Sequence, residues 1–91
     1  MANNTFFNIY IDPKTGITRE DVEVKIGLSL DWFRYNNNSY VVYSSSDIEK
    51  WMIRLKPLVE SDGRLFICEI NTKNRNGWMT KDFWNWLNKS R

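Results

Sequence analysis

Thr18-Arg19-Glu20-Asp21-Val22-Glu23-Val24-Lys25-Ile26-Gly27-Leu28-Ser29-Leu30-Asp31-Trp32 can be read in two ways, and the fold turns on the choice. Val22, Val24, Ile26, Leu28, Leu30 and Trp32 alternate with polar residues, which is the period of a half-buried strand. Thr18-Arg19-Glu20-Asp21, however, resembles a capping box with Asp in place of Glu, and Ile17 and Val22 stand where a hydrophobic staple would close over it. Val22, Ile26, Leu30 and Phe33 also share one helical face. The expected form is a helix over residues 19–29. A strand there would give a mostly antiparallel sheet with two helices.

The flanking segments are less ambiguous. Residues 5–11 (TFFNIYI) are β-branched and aromatic, and they run into Asp12-Pro13-Lys14-Thr15-Gly16, where Pro fixes a turn and Gly supplies positive φ. Residues 30–35 and 39–44 are two strand-like runs joined by Asn36-Asn37-Asn38, a triplet suited to left-handed turn conformations. Ser46-Asp47-Ile48-Glu49 reads as a capping box, followed by Ile48, Trp51, Met52 and Leu55 on one helical face until Pro57 ends the helix. Ser61-Asp62-Gly63 turns into residues 64–70 (RLFICEI), whose apolar stretch from Leu65 to Cys68 suggests cover on both faces. On this reading Cys68 is a buried, inert small hydrophobe.

Residues 71–77 form a polar, basic loop, and Thr80 caps a last helix. There Phe83, Trp84, Trp86 and Leu87 occupy an arc of about 160° at roughly 100° per residue. Trp84 and Trp86 therefore belong to the core or to a dimer interface. Tyr40 and Tyr43 lie on opposite faces of one strand, so only one can enter the core.

The order is strand, helix, strand, strand, helix, strand, helix. The expectation is one α+β domain over residues 1–91, a ferredoxin-like split βαβ sandwich. It has an antiparallel four-stranded sheet, two helices on one face and an added C-terminal aromatic helix.

Composition bounds the chemistry. The chain has 91 residues, 15% of them aromatic, with five Trp. A domain this small buries only about 60 to 65% of its unfolded surface, so dense aromatic packing or association, most simply a homodimer, has to support it. There is no His and one Cys, which excludes His-based acid-base and nucleophile activation, an intrachain disulfide and a Cys-based zinc site. With neither a signal-peptide pattern nor a membrane-length apolar run, a cytoplasmic protein is expected, with no membrane partner. Net charge is +2, but it is unevenly placed: residues 71–91 hold Lys73, Arg75, Lys81, Lys89 and Arg91 against Asp82 alone.

Trp32-Phe33-Arg34-Tyr35, Tyr40-Val41-Val42-Tyr43, Arg54-Leu55-Lys56-Pro57-Leu58, Arg64-Leu65-Phe66-Ile67 and the tail Gly77-Trp78-Met79-Thr80-Lys81-Asp82-Phe83-Trp84-Asn85-Trp86-Leu87 follow one another in order. Together they resemble the VapD-like and SinR-like small ferredoxin-fold proteins, relatives of the small-subunit endoribonuclease of the CRISPR adaptation complex. The resemblance covers about two-thirds of the chain, from Asp31 onward. It implies a homodimer, in some members bound to nucleic acid and in some a metal-dependent endoribonuclease. In those nucleases an Asp at the end of the first strand meets its symmetry mate on a divalent ion. Asp12 falls at that position, followed by Pro13, which departs from the family pattern.

The candidate residues follow. Lys73, Arg75 and Lys81 around Trp78 could grip phosphates while the indole stacks on a base, with Arg34 as a further phosphate contact. Trp78 could instead fold back and pin the last helix. Asp12 is the sole candidate for catalysis and for metal: paired across a two-fold axis it could hold Mg²⁺ or Mn²⁺ and activate water, or it could simply open a turn. The leading expectation is a non-catalytic homodimeric binding module without a cofactor, recognising RNA, DNA or a protein. The alternatives are a metal-dependent endoribonuclease and a phage or mobile-element accessory protein that binds and inhibits a host protein.

Overall fold

A computed structural model describes residues 4–91. Four strands, β1 (Thr5–Asp12), β2 (Asp31–Asn36), β3 (Ser39–Ser44) and β4 (Arg64–Ile70), form one sheet in the order β2-β3-β1-β4. Every neighbouring pair is antiparallel. Helix α1 (Arg19–Ile26) carries the chain from β1 past β3 to β2, and α2 (Ile48–Leu55) carries it from β3 past β1 to β4. A third helix, α3 (Lys81–Leu87), follows the sheet.

The ambiguous segment is a helix. Thr18 accepts from the Asp21 N–H while the Asp21 carboxylate accepts from the Thr18 N–H, so two orphan donors of the first turn are satisfied together. Val22 and Ile26 are buried and Ile17 packs against the same cluster, whereas Val24, Leu28 and Leu30 are exposed. Alternation there is coincidence: a strand would have put Val24 beside Val22 in the core. The helix stops at Ile26, three residues short of the expected end.

Other expectations need correction. The cap of α2 is Asp47, accepting from the Lys50 N–H, because the Ser46 N–H is already tied to the hydroxyl of buried Ser44. Asn36-Asn37-Asn38 uses no left-handed residue; Asn36 Oδ1 accepts from the Asn38 N–H in an Asx turn, and the Asn38 carbonyl accepts from Ile11. In the turn before β4 the positive φ falls on Ser61, while Gly16 has the positive φ expected of it. Gly63 is needed for space: a Cβ there would sit 2.6 Å from the Asp12 carbonyl oxygen and 2.8 Å from the Val59 Cα.

β4 is an edge strand covered along one face and, on the other, only at Ile70. Leu65 and Ile67 are half-buried against the main core, while Phe66 is 61% exposed and Cys68 is exposed. The expectation of a buried Cys68 is therefore overturned, since an apolar run does not distinguish a central strand from an edge strand.

Strand alternation divides the side chains between two clusters. Phe7, Ile9, Ile11, Tyr40 and Val42 meet Val22, Ile26, Trp51 and Leu55 beneath α1 and α2. On the opposite face Phe6, Phe33, Tyr35, Val41 and Ile70 meet Phe83, Trp84, Trp86 and Leu87 of α3. The added aromatic helix thus closes part of the face that α1 and α2 leave open. It is capped as expected by Thr80, which accepts from the Phe83 N–H.

Candidate nucleic-acid interface

The ten residues between β4 and α3 carry Lys73, Arg75 and Trp78, and Lys81 follows as the first residue of α3. Trp78 is 99% exposed. It does not pin α3, so the packing role considered for it is excluded. It borders a groove with Phe33, Arg34, Tyr35, Met79 and Thr80, in which Asp82 is the one acidic residue. Lys73 and Lys81 are exposed. Arg75 donates to Asn88 Oδ1 and its guanidinium lies 6.0 Å from the centre of the Trp84 ring, which anchors it to α3 without neutralising it. Among the described residues none of Lys73, Arg75 and Lys81 forms a salt bridge.

The guanidinium of Arg34 is engaged by Glu23. Its neighbours Phe33 and Tyr35 face α3, so its own side chain points to the α1 side, where Nε lies 3.6 Å from Glu23 Oε2. The same carboxylate accepts from the Tyr40 hydroxyl at 2.9 Å. Burial first, then the Glu23 carboxylate, pushes the Tyr40 phenol well above its ordinary value.

Lys89 and Arg91 are also committed elsewhere. Arg91 reaches Asp31 at 3.2 Å and donates to the Trp86 carbonyl at 2.9 Å. Its guanidinium lies over the rings of Trp86, Phe6 and Tyr43, at 4.6, 5.2 and 5.2 Å. Lys89 pairs with the same Asp31 oxygen at 3.4 Å. Partial burial opposes ionisation of Asp31, but the approach of the Trp86 indole N–H, the Trp32 N–H and Lys89 hold its carboxyl below the usual range. The indole N–H itself stops short of hydrogen-bonding geometry with any acceptor. Two of the five tail cations are thus a clamp for α3, and Lys73, Arg75 and Lys81 are left without a salt bridge among the described residues. Nothing in a charge count separates the two groups.

Asp12 ends β1 in register with Arg64, in a hollow shared with Pro13, Arg19 and Tyr40. Among the described residues no three His, Cys, Asp or Glu side chains converge as a metal-binding group. Within one chain the neighbours of Asp12 are cationic, so a divalent ion there would need the Asp12 of a second copy.

One feature carried no motif: a second groove beneath the 71–79 loop, lined by Asn8, Tyr35, Asn71, Asn76 and Trp84 among others. The run of Asn in NTKNRN was legible as a loop but not as a wall. No helix among the described residues is long and apolar enough to cross a membrane. Comparison of the chain with family models, curated proteins and solved structures found no significant match, so the reading of this surface rests on its own residues.

Proposed function

We propose that the chain is a ferredoxin-like, VapD-like binding module, non-catalytic, that recognises single-stranded nucleic acid through the 71–81 segment. Trp78 carries the reading. Leaving an indole in water forfeits the roughly 1.5 to 3 kcal/mol that burial of a large apolar side chain contributes, in a domain short of core. Arg34 lines its groove, and Lys73, Arg75 and Lys81, close to it in the chain, form no salt bridge among the described residues. An exposed ring that can stack on any base, beside cations that meet phosphates, is the chemistry of single-strand binding. The ferredoxin-like assignment is supported by the strand order β2-β3-β1-β4 and by two crossovers that each skip one strand.

Homodimerisation is part of the proposal. Ile48 and Met52 of α2 are exposed beside the half-buried Leu65 and Ile67 of the β4 edge, which leaves an apolar strip next to an unpaired strand. Light scattering should give twice the chain mass, and a monomer at high concentration would remove this part.

Titration of tryptophan emission with short single-stranded DNA or RNA at several salt concentrations tests the ligand. Binding should weaken steeply as salt rises, and Lys73→Ala with Arg75→Ala should lower the slope of log affinity against log salt by about 1 to 2. Emission unmoved by any oligonucleotide at low salt would refute the proposal.

A further inference from the structure

The groove beneath the 71–79 loop has a volume of about 360 Å³, near the lower end of small-molecule pockets, which run from about 300 to 1,000 Å³. Its lining includes the rings of Tyr35, Phe83 and Trp84, and its polar side chains are amides, Arg75 and the hydroxyls of Thr72 and Tyr35. Two of those amides, Asn71 and Asn76, are held one way round. Asn71 Oδ1 accepts from the Lys73 N–H at 3.0 Å, and Asn76 Oδ1 accepts from the Gly77 N–H at 2.8 Å. Asn8 Oδ1 accepts from the Tyr35 hydroxyl. A backbone N–H can only donate, so at Asn71 and Asn76 the carbonyl end is fixed inward to the chain and the NH₂ end is the one left over. No protein acceptor meets the Nδ2 groups of these three residues among the described residues. Asn74 makes no such bond and can turn either end to the groove.

The groove therefore presents flat apolar rings and an excess of donors over acceptors. A planar ligand with two adjacent acceptors matches it. Among nucleobases, guanine offers N7 and O6 together on one edge, whereas adenine sets an amino donor beside N7. We infer that this groove is a base-reading pocket that prefers guanine over adenine. The inference rests on the single-strand reading above, since the Trp78 groove and this one share Tyr35 and Met79 and would take neighbouring bases of one strand. Arg75, on the loop over the pocket, adds donors of the kind that pair with guanine O6 and N7.

The test is fluorescence anisotropy with labelled oligo(dT) carrying one central guanine, adenine or 7-deazaguanine, which lacks the N7 acceptor. Guanine should bind about five- to tenfold more tightly than adenine, and 7-deazaguanine should fall to the adenine level. Asn76→Asp retains the acceptor for the Gly77 N–H but replaces the free donor with an acceptor. Whatever its charge does to overall affinity, the guanine-to-adenine ratio should collapse toward one. Equal binding of the three oligonucleotides, or an unchanged ratio in Asn76→Asp, would overturn the pocket while leaving single-strand binding intact. Absence of binding to all three would overturn both.

Discussion

The two faces of the sheet are built from different materials. Under α1 and α2 the contacts are largely aliphatic and dry: Ile9, Ile26, Val42, Trp51 and Leu55 have no exposed surface, and the Trp51 indole N–H donates to Ser44 Oγ at 3.0 Å. Under α3 the contacts are rings meeting edge-on or tilted, such as Phe33 with Phe83 at 5.8 Å and Phe6 with Trp86 at 6.0 Å. That cluster is closed by a cation rather than by more apolar surface. A seven-residue helix cannot span a four-stranded sheet, and the 71–79 loop fills part of the remainder with asparagine and charge. The first face makes the fold; the second supplies exposed rings and donors on a rigid support.

If that division is right, damage should differ by face. Trp51→Ala should be the most severe change, costing about 3 to 5 kcal/mol and lowering the midpoint of the whole chemical unfolding transition, because it opens a cavity at the centre of the dry core. A loss under about 1 kcal/mol would mean that this face is not the main source of stability. Gly63→Ala comes next at about 1 to 3 kcal/mol, since its methyl group would meet backbone on both sides of the turn rather than a side chain able to move.

Arg91→Ala should cost about 1 to 2 kcal/mol, combining lost cation-π contact with a broken and partly buried ion pair. The loss should appear as faster amide exchange in α3 with the β1 and β3 amides still protected. Uniform loss of protection across the sheet would join the two faces into one cooperative unit. Acid should release the same clamp. The Asp31 carboxyl titrates below its ordinary 3.8 in the folded chain, so its contribution is complete above about pH 4 and is lost as pH falls through the lower folded value. Near-UV dichroism of the α3 aromatics should follow that loss, and Asp31→Asn should remove the pH dependence. Lys89→Ala should change stability least, by under about 0.5 kcal/mol, because its pair with Asp31 is solvent-facing.

How much of this was legible in the sequence follows the same division. Element types and order came from caps and periodicity, because those are local: Thr18 with Asp21 outweighed six alternating apolar residues, and Thr80 marked α3. The shifted cap at Asp47 and the Asx turn at Asn36 depended on side chains competing for single backbone N–H groups, which spacing does not rank. The exposure of Cys68 depended on β4 lying at an edge, a property of strand order. At the candidate site, Lys73, Arg75, Trp78 and Lys81 lay together because they are close in the chain. Arg34 borders the Trp78 groove from β2 with its guanidinium engaged by Glu23, and Lys89 and Arg91 were taken by Asp31, about sixty positions away. The asparagine wall had no signature, since Asn8 and Asn76 meet only through the folded sheet and its returning loop.

The most direct measurement is Trp78→Ala, read for stability and for affinity in the same preparation. An indole this exposed holds nothing in the fold, so the unfolding midpoint should stay where it is. Affinity for a single strand should fall by roughly five- to a hundredfold, the worth of one base stacked on an aromatic ring. Unchanged affinity, or a marked drop in stability, would contradict the assignment of this face to recognition.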